Sequence, residues 1–329
     1  MSTFLEKENL KQVEFKNNSR SITTEARKAG IYKNKPRPFC LPVEVADQNL
    51  FPEIRHSAVT FFSDHAIKWH DGKNGKPSNH LCSSQVCCVN FLFPFSNKPE
   101  ALLKVLKSVF PKIKSMLPIE SGQYVSFEWI GQKYYLGEKV ISNGKRTRGA
   151  HFTSADAMVM FNRDDGKKQI VLIEWKYTET YSSISLKISN NGTDRTEIYK
   201  PLFIKDKDTI DKDLMPSFDS LFFEPFYQFM RQQYLAQQME KAHELGADIV
   251  SVLHIAPAHN LDFQKITSLE LKHLGETAIE VWKRLVRSEE RFISTSVENL
   301  FGNLSEKQIP EMKAWLKYIH SRYRWVSEK

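Results

Sequence analysis

The chain has 329 residues, of which 41% are hydrophobic and 12% aromatic, and its formal net charge at pH 7 is +8. This length and apolar content are enough to bury a large core, so the composition excludes a disordered chain and favours one or two globular domains. The basic balance suits a polyanionic partner, and no apolar run reaches the roughly 18 residues that span a bilayer, so no membrane partner is expected.

The cysteines and the first residues predict a cytoplasmic protein. The N-terminus lacks the hydrophobic region of a signal peptide, and the four cysteines are expected to be reduced thiols. No C-x-x-C step with a matching second pair occurs, so a structural zinc site is disfavoured. The chain also lacks the glycine-rich loop that cradles nucleotide phosphates, which gives no support to ATP use.

Residues 1–39 form a basic, polar N-terminal extension with nine Lys or Arg against four Glu, and the segment ends in Lys33-Asn-Lys-Pro-Arg-Pro38. A solvated tail is the common fate of such a segment, and neutralisation of phosphates at the mouth of a site is the alternative. We expect residues 40–329 to form a single domain, with a core over about 56–256 and a C-terminal α/β addition over 257–329.

The first elements of that core are predicted to be helices over 56–70, 79–93 and 99–117, the last with the apolar spacing of an amphipathic helix. Residues 123–130 alternate between apolar and polar and predict the first strand of a sheet. Glu128 in this strand is a candidate additional acidic ligand, and an ordinary solvated Glu on an edge strand is the alternative.

Basic residues are concentrated immediately before the second predicted strand: Lys139, Lys145, Arg146 and Arg148. Because this stretch lies close in sequence to an acidic strand residue, Asp156, we expect these side chains to bind nucleic-acid phosphates. A merely solvated loop is the alternative.

Residues 153–161 and 169–177 are aliphatic, aromatic and β-branched runs joined by a segment with an Asp165-Gly166 step, and this pattern predicts a β-hairpin. If the turn is centred near Asp165, opposed residues have numbers that sum to about 330. Asp156 then faces Glu174, and Ser154 faces Lys176.

Two opposed carboxylates, Asp156 and Glu174, would repel each other in the apolar surroundings of this hairpin unless a cation or a proton lay between them. One lysine, Lys176, is insufficient for two acids. A hard divalent cation such as Mg²⁺, which binds carboxylate oxygens and keeps several waters, would resolve the conflict.

The order of Asp156 and, after 17 intervening residues, Glu174-Trp175-Lys176 resembles the motif of the PD-(D/E)XK nuclease superfamily, with Ala155 in place of the proline. The resemblance implies an α/β fold with a restriction endonuclease-like core in the order αβββαβ: a mixed central sheet flanked by helices, with helical additions at both ends. It also implies that Asp156 and Glu174 bind Mg²⁺, for which Mn²⁺ can substitute.

By the same resemblance, Lys176 aids hydrolysis of a phosphodiester bond, and DNA is the favoured substrate. A structural cluster of ion pairs is the alternative for these three residues. For the whole chain, the alternative is a catalytically inactive protein that binds nucleic acid or acts as a scaffold on the same fold. The sequence leaves the oligomeric state open, with a dimer as one option.

Residues 222–245 predict a long helix, on which Gln228, Arg231 and Gln232 share one stripe at spacings of three and four residues. This stripe is a further candidate part of the site, and the wet side of a helix is the alternative. Many exonuclease members carry Gln-x-x-x-Tyr here, whereas Gln228 is followed four residues later by Gln232, which weakens an exonuclease assignment.

The remaining connections complete the predicted core and its addition. The polar stretch 181–217 is long for a connection and is interpreted as a surface excursion. A strand is predicted over 247–256, and a helix over 265–286, a short strand near 291–297 and a helix over 308–324 are predicted for the C-terminal addition.

Overall fold

The computed structural model describes residues 3–138, 146–150 and 152–327. The helices in these ranges are α1 (Phe4–Asn18), α2 (Arg55–Asp64), α3 (Ser84–Leu92), α4 (Pro99–Leu106), α5 (Thr196–Lys205), α6 (Phe226–Lys241), α7 (Ala278–Leu285) and α8 (Lys313–Arg322). The strands are β1 (Gly30–Tyr32), β2 (Lys35–Arg37), β3 (Ile113–Leu117), β4 (Val125–Trp129), β5 (Ala155–Arg163), β6 (Lys168–Trp175), β7 (Ile249–Ala256) and β8 (Phe292–Ser296). None of the helices described here has the length and apolar content needed to cross a bilayer.

A six-stranded mixed sheet forms the centre of the fold, in the order β3-β5-β6-β7-β8 with β4 also paired to β5. Strands β3, β4 and β6 run antiparallel to β5, whereas the pairs β6–β7 and β7–β8 are parallel. The succession of a helix, β4, β5, β6, α6 and β7 matches the predicted αβββαβ order. The predicted α/β class, with a mixed sheet flanked by helices, is therefore confirmed.

The central hairpin has the predicted register. Ala157 pairs with Ile173 and Met158 pairs with Leu172, so the residue numbers of each pair sum to 330. Gly166 supplies a φ of +82° in the turn, a conformation that costs glycine little. Continuing this pairing by one step places Asp156 opposite Glu174.

Apolar cores cover both faces of this sheet, because successive side chains of a strand point to opposite sides. Val171 and Ile173 of β6 belong to the core that α2, α3, α4 and α8 cover, whereas Ile170 and Leu172 belong to the core beneath α6 and α7. A strand enclosed on both faces needs an almost continuous apolar run, which explains the sequence of β6.

The prediction of a helix over 99–117 is wrong in its second half. Helix α4 ends at Leu106, and Ile113–Leu117 forms β3, which pairs with the edge of β5. Pro111 lies between them, and proline in a helix interior removes one backbone hydrogen bond and clashes with the preceding turn. Pairing with β5 then satisfies the backbone of the residues that follow.

The other predicted helices form but are shorter than predicted. The C-terminal example is α7, where Thr277 accepts a hydrogen bond from the backbone of Glu280, and Glu280 bonds back to Thr277, so that a capping box starts the helix well after residue 265. The polar stretch 181–217 includes α5, a helix that its composition did not predict. Tertiary contacts therefore decided where several helices begin and end.

The segment before residue 40 is packed rather than solvated. Gln12 of α1 donates a hydrogen bond to the backbone oxygen of Arg322 at 3.1 Å, and Tyr177 donates one to Glu8 at 2.7 Å. Strands β1 and β2 follow as a small hairpin. The division of the chain at residue 39 stays a prediction, but α1 lies against α8 and the end of β6.

Candidate active site

Three carboxylates occupy one row across the sheet. In the β4–β5 pairing, Phe127 faces Ala157 and Trp129 faces Ala155, so Glu128 stands opposite Asp156, which in turn stands opposite Glu174. Glu128 has a φ of +49°, which is uncommon for a residue with a side chain and interrupts its own pairing with β5. Strand register thus brings together acids that are far apart in the sequence.

Neighbouring groups fix the two carboxylates of the predicted motif. The backbone N–H of Trp175 donates a hydrogen bond to Oδ2 of Asp156 at 2.7 Å. Glu174 is only 1% exposed, and its Oε2 accepts a hydrogen bond from the Gln232 amide at 2.9 Å. Both acids therefore have one oxygen held by the protein.

Lys176 follows the end of β6 and is 6% exposed. Its Nζ lies 2.6 Å from Oε1 of Glu174 and donates a hydrogen bond to Oε1 of Gln228 at 2.7 Å. Burial by itself lowers the pKa of Lys176, but the Glu174 carboxylate and other acidic groups outweigh it and raise that pKa well above its usual value. The ammonium is thus charged and aimed between a helix and the carboxylates.

The acids carry an unfavourable charge when no cation is present. Burial, followed by repulsion from Glu174 and Glu128, raises the pKa of Asp156 well above 3.8. Burial also raises the pKa of Glu128, and Glu174 adds to that shift, whereas hydrogen bonds from Ser154 and Gln85 oppose it. One nearby ammonium does not neutralise this cluster.

Gln85 on α3 is a site residue that sequence reasoning missed. Its amide donates a hydrogen bond to Oε1 of Glu128 at 2.6 Å and another to the backbone oxygen of Lys68 at 3.2 Å, while its oxygen accepts one from the backbone of His70. No motif signals this role, because 43 residues separate Gln85 from Glu128 and only the packing of α3 onto the sheet brings them together.

Ser154 and Gly149 complete the surroundings of Glu128. Ser154 donates a hydrogen bond to Oε2 of Glu128 at 2.7 Å, and the structure gives no direct contact between Ser154 and Lys176. A Cβ on Gly149 would lie 2.7 Å from the backbone oxygen of Lys68 and 3.4 Å from Cγ of Glu128. The glycine therefore leaves the room that the Glu128 side chain uses.

These groups line an open cleft of about 840 Å³. Glu128, Ser154, Asp156, Glu174, Lys176 and Gln228 all contribute to its wall. Tyr32 and Lys33 from the β1–β2 hairpin, His70, and Ser84 from the first turn of α3 also line it. The cleft is large enough for a strand of a polymer and is acidic at its floor.

The predicted stripe on α6 divides into two parts. Gln228 and Gln232 contact Lys176 and Glu174, as described, but Arg231 does not line the cleft. Its Nε instead donates a hydrogen bond to Oγ1 of Thr153 at 2.8 Å and lies 3.7 Å from Glu138. Three residues spaced along one stripe still diverge by a large part of a turn, so the neighbouring strands decide which of them reach the site.

The predicted basic stretch is used internally where the structure describes it. Arg148 donates two hydrogen bonds to the Glu120 carboxylate, at 2.9 and 3.0 Å, and Arg146 donates to backbone oxygens of residues 130–133. Lys139 and Lys145 lie outside the described residues. Phosphate binding by these four side chains stays a prediction.

The donor set fits a hard divalent cation held by few protein ligands. Within the ranges that the structure describes, no group of three or more His, Cys, Asp or Glu side chains is placed to hold a metal ion together. Oε1 of Glu174 is buried and contacts Lys176 Nζ, but not at hydrogen-bonding angles. One or two carboxylates completed by waters is the usual protein environment of Mg²⁺, so Asp156 and Glu174 suffice.

Comparisons with known proteins add the family. The family model described as "Restriction Endonuclease associating with ARP" matches residues 9–324, nearly the whole chain. The comparisons with curated proteins and with solved structures gave no match. The matched range includes the carboxylate row, Lys176, most of α1 and all of the β1–β2 hairpin.

Proposed function

Since the chain belongs to the restriction endonuclease-like family described as "Restriction Endonuclease associating with ARP", we propose that it is a metal-dependent nuclease that hydrolyses phosphodiester bonds in DNA. The observation that carries this proposal is the placement of Asp156 and Glu174 at opposed positions of the hairpin, with the Lys176 ammonium 2.6 Å from Glu174 and all three on one cleft.

The residues that would hold Mg²⁺, or Mn²⁺ in its place, are Asp156 and Glu174, and the chemistry supplied would be polarisation of a phosphoryl oxygen and acidification of a water. Asp156 must be ionised for this role, which the cation would favour against the repulsion from its neighbours. Gln232 holds Glu174 in one orientation through the hydrogen bond to Oε2.

Lys176 orients the attacking water and offsets the negative charge that grows on the phosphate during attack. Gln228 keeps the ammonium in place by accepting one of its hydrogens. The oxygen of water forms a bond to phosphorus, the bond from phosphorus to the leaving oxygen breaks, and a proton from solvent ends on that leaving group.

The competing function is a nucleic-acid-binding or scaffold protein that keeps the fold without catalysis. Against it stands the electrostatic cost of the site, because buried charges without matching partners destabilise a protein. A scaffold has no use for three opposed carboxylates beside one lysine, whereas a metal site requires such an excess of acid.

A cleavage assay tests the proposal. The purified protein is expected to cut DNA with Mg²⁺ or Mn²⁺, to stop in EDTA, and to lose activity in Asp156→Ala and Lys176→Ala. Asp164→Ala and Lys167→Ala are matched controls, because both residues are exposed and lie at the turn of the same hairpin.

Circular and linear DNA and RNA belong in the same assay, since cleavage of closed circles identifies an endonuclease and the RNA arm tests the choice of DNA. DNA binding without metal-dependent cleavage would overturn the enzyme assignment in favour of the scaffold.

A further inference from the structure

The β1–β2 hairpin stands at the mouth of the cleft and carries three cations. We propose that residues 30–37 form the surface that grips the phosphodiester strand, with Lys33, Lys35 and Arg37 bound to its phosphates. This inference rests on the proposed nuclease function for the identity of the ligand. It places substrate binding on the hairpin rather than on the basic stretch before β5.

The register of the hairpin directs its basic side chains toward the cleft. Tyr32 pairs with Lys35, and Gly30 pairs with Arg37. Paired residues and residues two apart share a face of a β-ribbon, so Lys35 and Arg37 lie on the same face as Tyr32. Tyr32 and Lys33 themselves line the cleft that holds Asp156 and Glu174.

These cations are available for an external ligand. Within the described part of the chain, no carboxylate lies within ion-pair distance of Lys33, Lys35 or Arg37. Lys33 stands over the Tyr32 ring, with Nζ 5.4 Å from its centroid, and Arg37 stands 6.0 Å from the centroid of Phe39. Arg146 and Arg148, in contrast, use their donors on the protein itself.

The hairpin is anchored, so its cations are held in place before a ligand arrives. Its two turn residues, Lys33 and Asn34, have φ of +48° and +60°, the pattern of a tight two-residue turn. At its base, Gly30 donates a hydrogen bond to the backbone oxygen of Cys40 at 3.0 Å, and Asn79 donates one to Ile31 at 3.1 Å. Anchoring lowers the entropy lost on binding.

Buried Lys16 of α1 supports the same hairpin from below. Its ammonium donates hydrogen bonds to the backbone oxygens of Lys28, Pro38 and Cys40, which precede and follow the two strands. The N-terminal helix and the hairpin therefore form one rigid unit beside the cleft.

The charge of the cleft requires cations of this kind. Glu128, Asp156 and Glu174 form its floor, and an acidic floor repels a polyanion everywhere except where a cation bridges the two. Phosphates on either side of the reacting one therefore need positive groups at the rim. The hairpin supplies them as side chains that the protein does not pair.

The test measures how DNA affinity depends on salt for a hairpin variant, Lys33→Gln/Lys35→Gln/Arg37→Gln. Its matched control is Lys241→Gln/Lys283→Gln/Arg284→Gln, which removes two lysines and one arginine from exposed positions of α6 and α7. Lys241 lies about 20 Å along α6 from Gln228, given a rise of about 1.5 Å per residue. Binding of fluorescent duplex and single-stranded oligonucleotides is followed in EDTA by anisotropy between 50 and 200 mM salt.

Each phosphate contact contributes about 0.9 to the slope of log affinity against log salt for duplex DNA and about 0.7 for single strands. The hairpin variant is expected to lose about 2–3 from this slope, and the control is expected to keep that of the wild type. The arm with the larger loss identifies the form of nucleic acid that the hairpin holds. Equal slopes for the hairpin variant and wild type, or equal losses in both variants, would overturn the proposal.

Two further measurements separate the possible failures. Lys35→Gln/Arg37→Gln leaves the turn residues intact, so a slope loss of about 1.4–1.8 is expected even if the triple variant is poorly folded. Wild-type cleavage is measured separately with Mg²⁺. Absent cleavage with the expected slope loss would remove only the nuclease proposal, whereas cleavage with unchanged slopes would remove only the role of the hairpin.

Discussion

Gln232 of α6 donates its amide hydrogens to Oε2 of Glu174 at 2.9 Å and to the backbone oxygen of Ser154. A helix that follows β6 by some 50 residues thus fixes the orientation of the carboxylate that β6 supplies. It also ties that carboxylate to the residue before β5.

Replacing Gln232 with Ala is therefore expected to lower metal-dependent cleavage by about 10–100-fold, the usual effect of losing a group that orients a metal ligand. DNA affinity in EDTA should not change, because Gln232 is buried. The measurements are initial rates against Mg²⁺ concentration and anisotropy. Gln233→Ala is the control, since this buried neighbour contacts the backbone of Arg291 instead; equal rate losses in both variants would contradict a specific role.

Asp156→Asn is expected to stabilise the metal-free protein while abolishing cleavage. Burial and the repulsion of Glu174 and Glu128 make an ionised Asp156 costly, and an amide keeps an acceptor for the N–H of Trp175. A gain of about 1 kcal/mol would raise the melting temperature by about 2–4 °C in a protein of this size.

Thermal unfolding in EDTA measures the effect of Asp156→Asn. Asp165→Asn is the opposite control, because hydrogen bonds from Arg163 lower the pKa of Asp165 and its charge is favourable. A lower melting temperature for Asp156→Asn than for wild type would refute the electrostatic conflict.

The stability of the metal-free protein should fall with rising pH through Asp156. The pKa of this carboxyl is raised well above 3.8 in the folded state, so above pH 3.8 the folded protein binds more protons than the unfolded chain. Its contribution to stability is complete below that pH and is lost as the pH rises through the folded pKa. Lys176, whose pKa is raised above 10.5, changes stability only at higher pH.

Melting temperatures of wild type and Asp156→Asn in EDTA at pH 5 and pH 8 measure this contribution, because all other groups are shared. The wild type is expected to lose more stability over this interval, and Mg²⁺ should reduce the difference by favouring the ionised carboxylate. Parallel pH profiles in EDTA would exclude the conflict at Asp156.

Gly149→Ala is expected to disturb Glu128 as well as the backbone. The new Cβ would lie 2.7 Å from the oxygen of Lys68 and 3.4 Å from Cγ of Glu128, so one of these groups must move. We expect a loss of about 1–3 kcal/mol of unfolding free energy and a lower cleavage rate.

Gly122→Ala is the matched control for Gly149→Ala, because its φ of +74° is close to the +73° of Gly149 and nothing lies within 4 Å of the added Cβ. Chemical denaturation and the cleavage rate are the readouts. Equal effects in the two variants would show that backbone strain alone is responsible.

Arg148→Ala is expected to reduce stability rather than electrostatic affinity for DNA. Arg148 donates two hydrogen bonds to Glu120 and another to Ser126, and its loss leaves a partly buried carboxylate unpaired. Losing hydrogen bonds to charged groups costs about 1–3 kcal/mol. Denaturation measures this loss, and a fall in the salt slope of DNA binding with unchanged stability would restore the phosphate-binding role.

The β5–β6 hairpin shows how far local sequence determined the centre of the site. The Asp165-Gly166 turn and the alternation on either side were sufficient to predict that residue numbers sum to 330 across the hairpin. This register also predicted that Asp156 and Glu174 face each other. The almost continuous apolar run of β6 indicated a strand buried on both faces, which it is.

The pattern of residues 99–117 shows where local sequence was insufficient. Apolar spacing alone suited a helix throughout, yet the second half became β3 because β5 offered an unpaired edge and Pro111 prevented the helix from continuing. Pairing with a distant strand is a long-range gain in free energy that local periodicity does not contain.

The sequence by itself determined the hairpin, its opposed acids and the lysine beside them, because turn chemistry and strand alternation act over a few residues. Only the tertiary structure decided that Gln85 and Gln232 hold the carboxylates, that Arg231 faces Glu138, and that the β1–β2 hairpin stands at the cleft. Those contacts join segments separated by tens of residues, and their geometry depends on how helices pack onto the sheet.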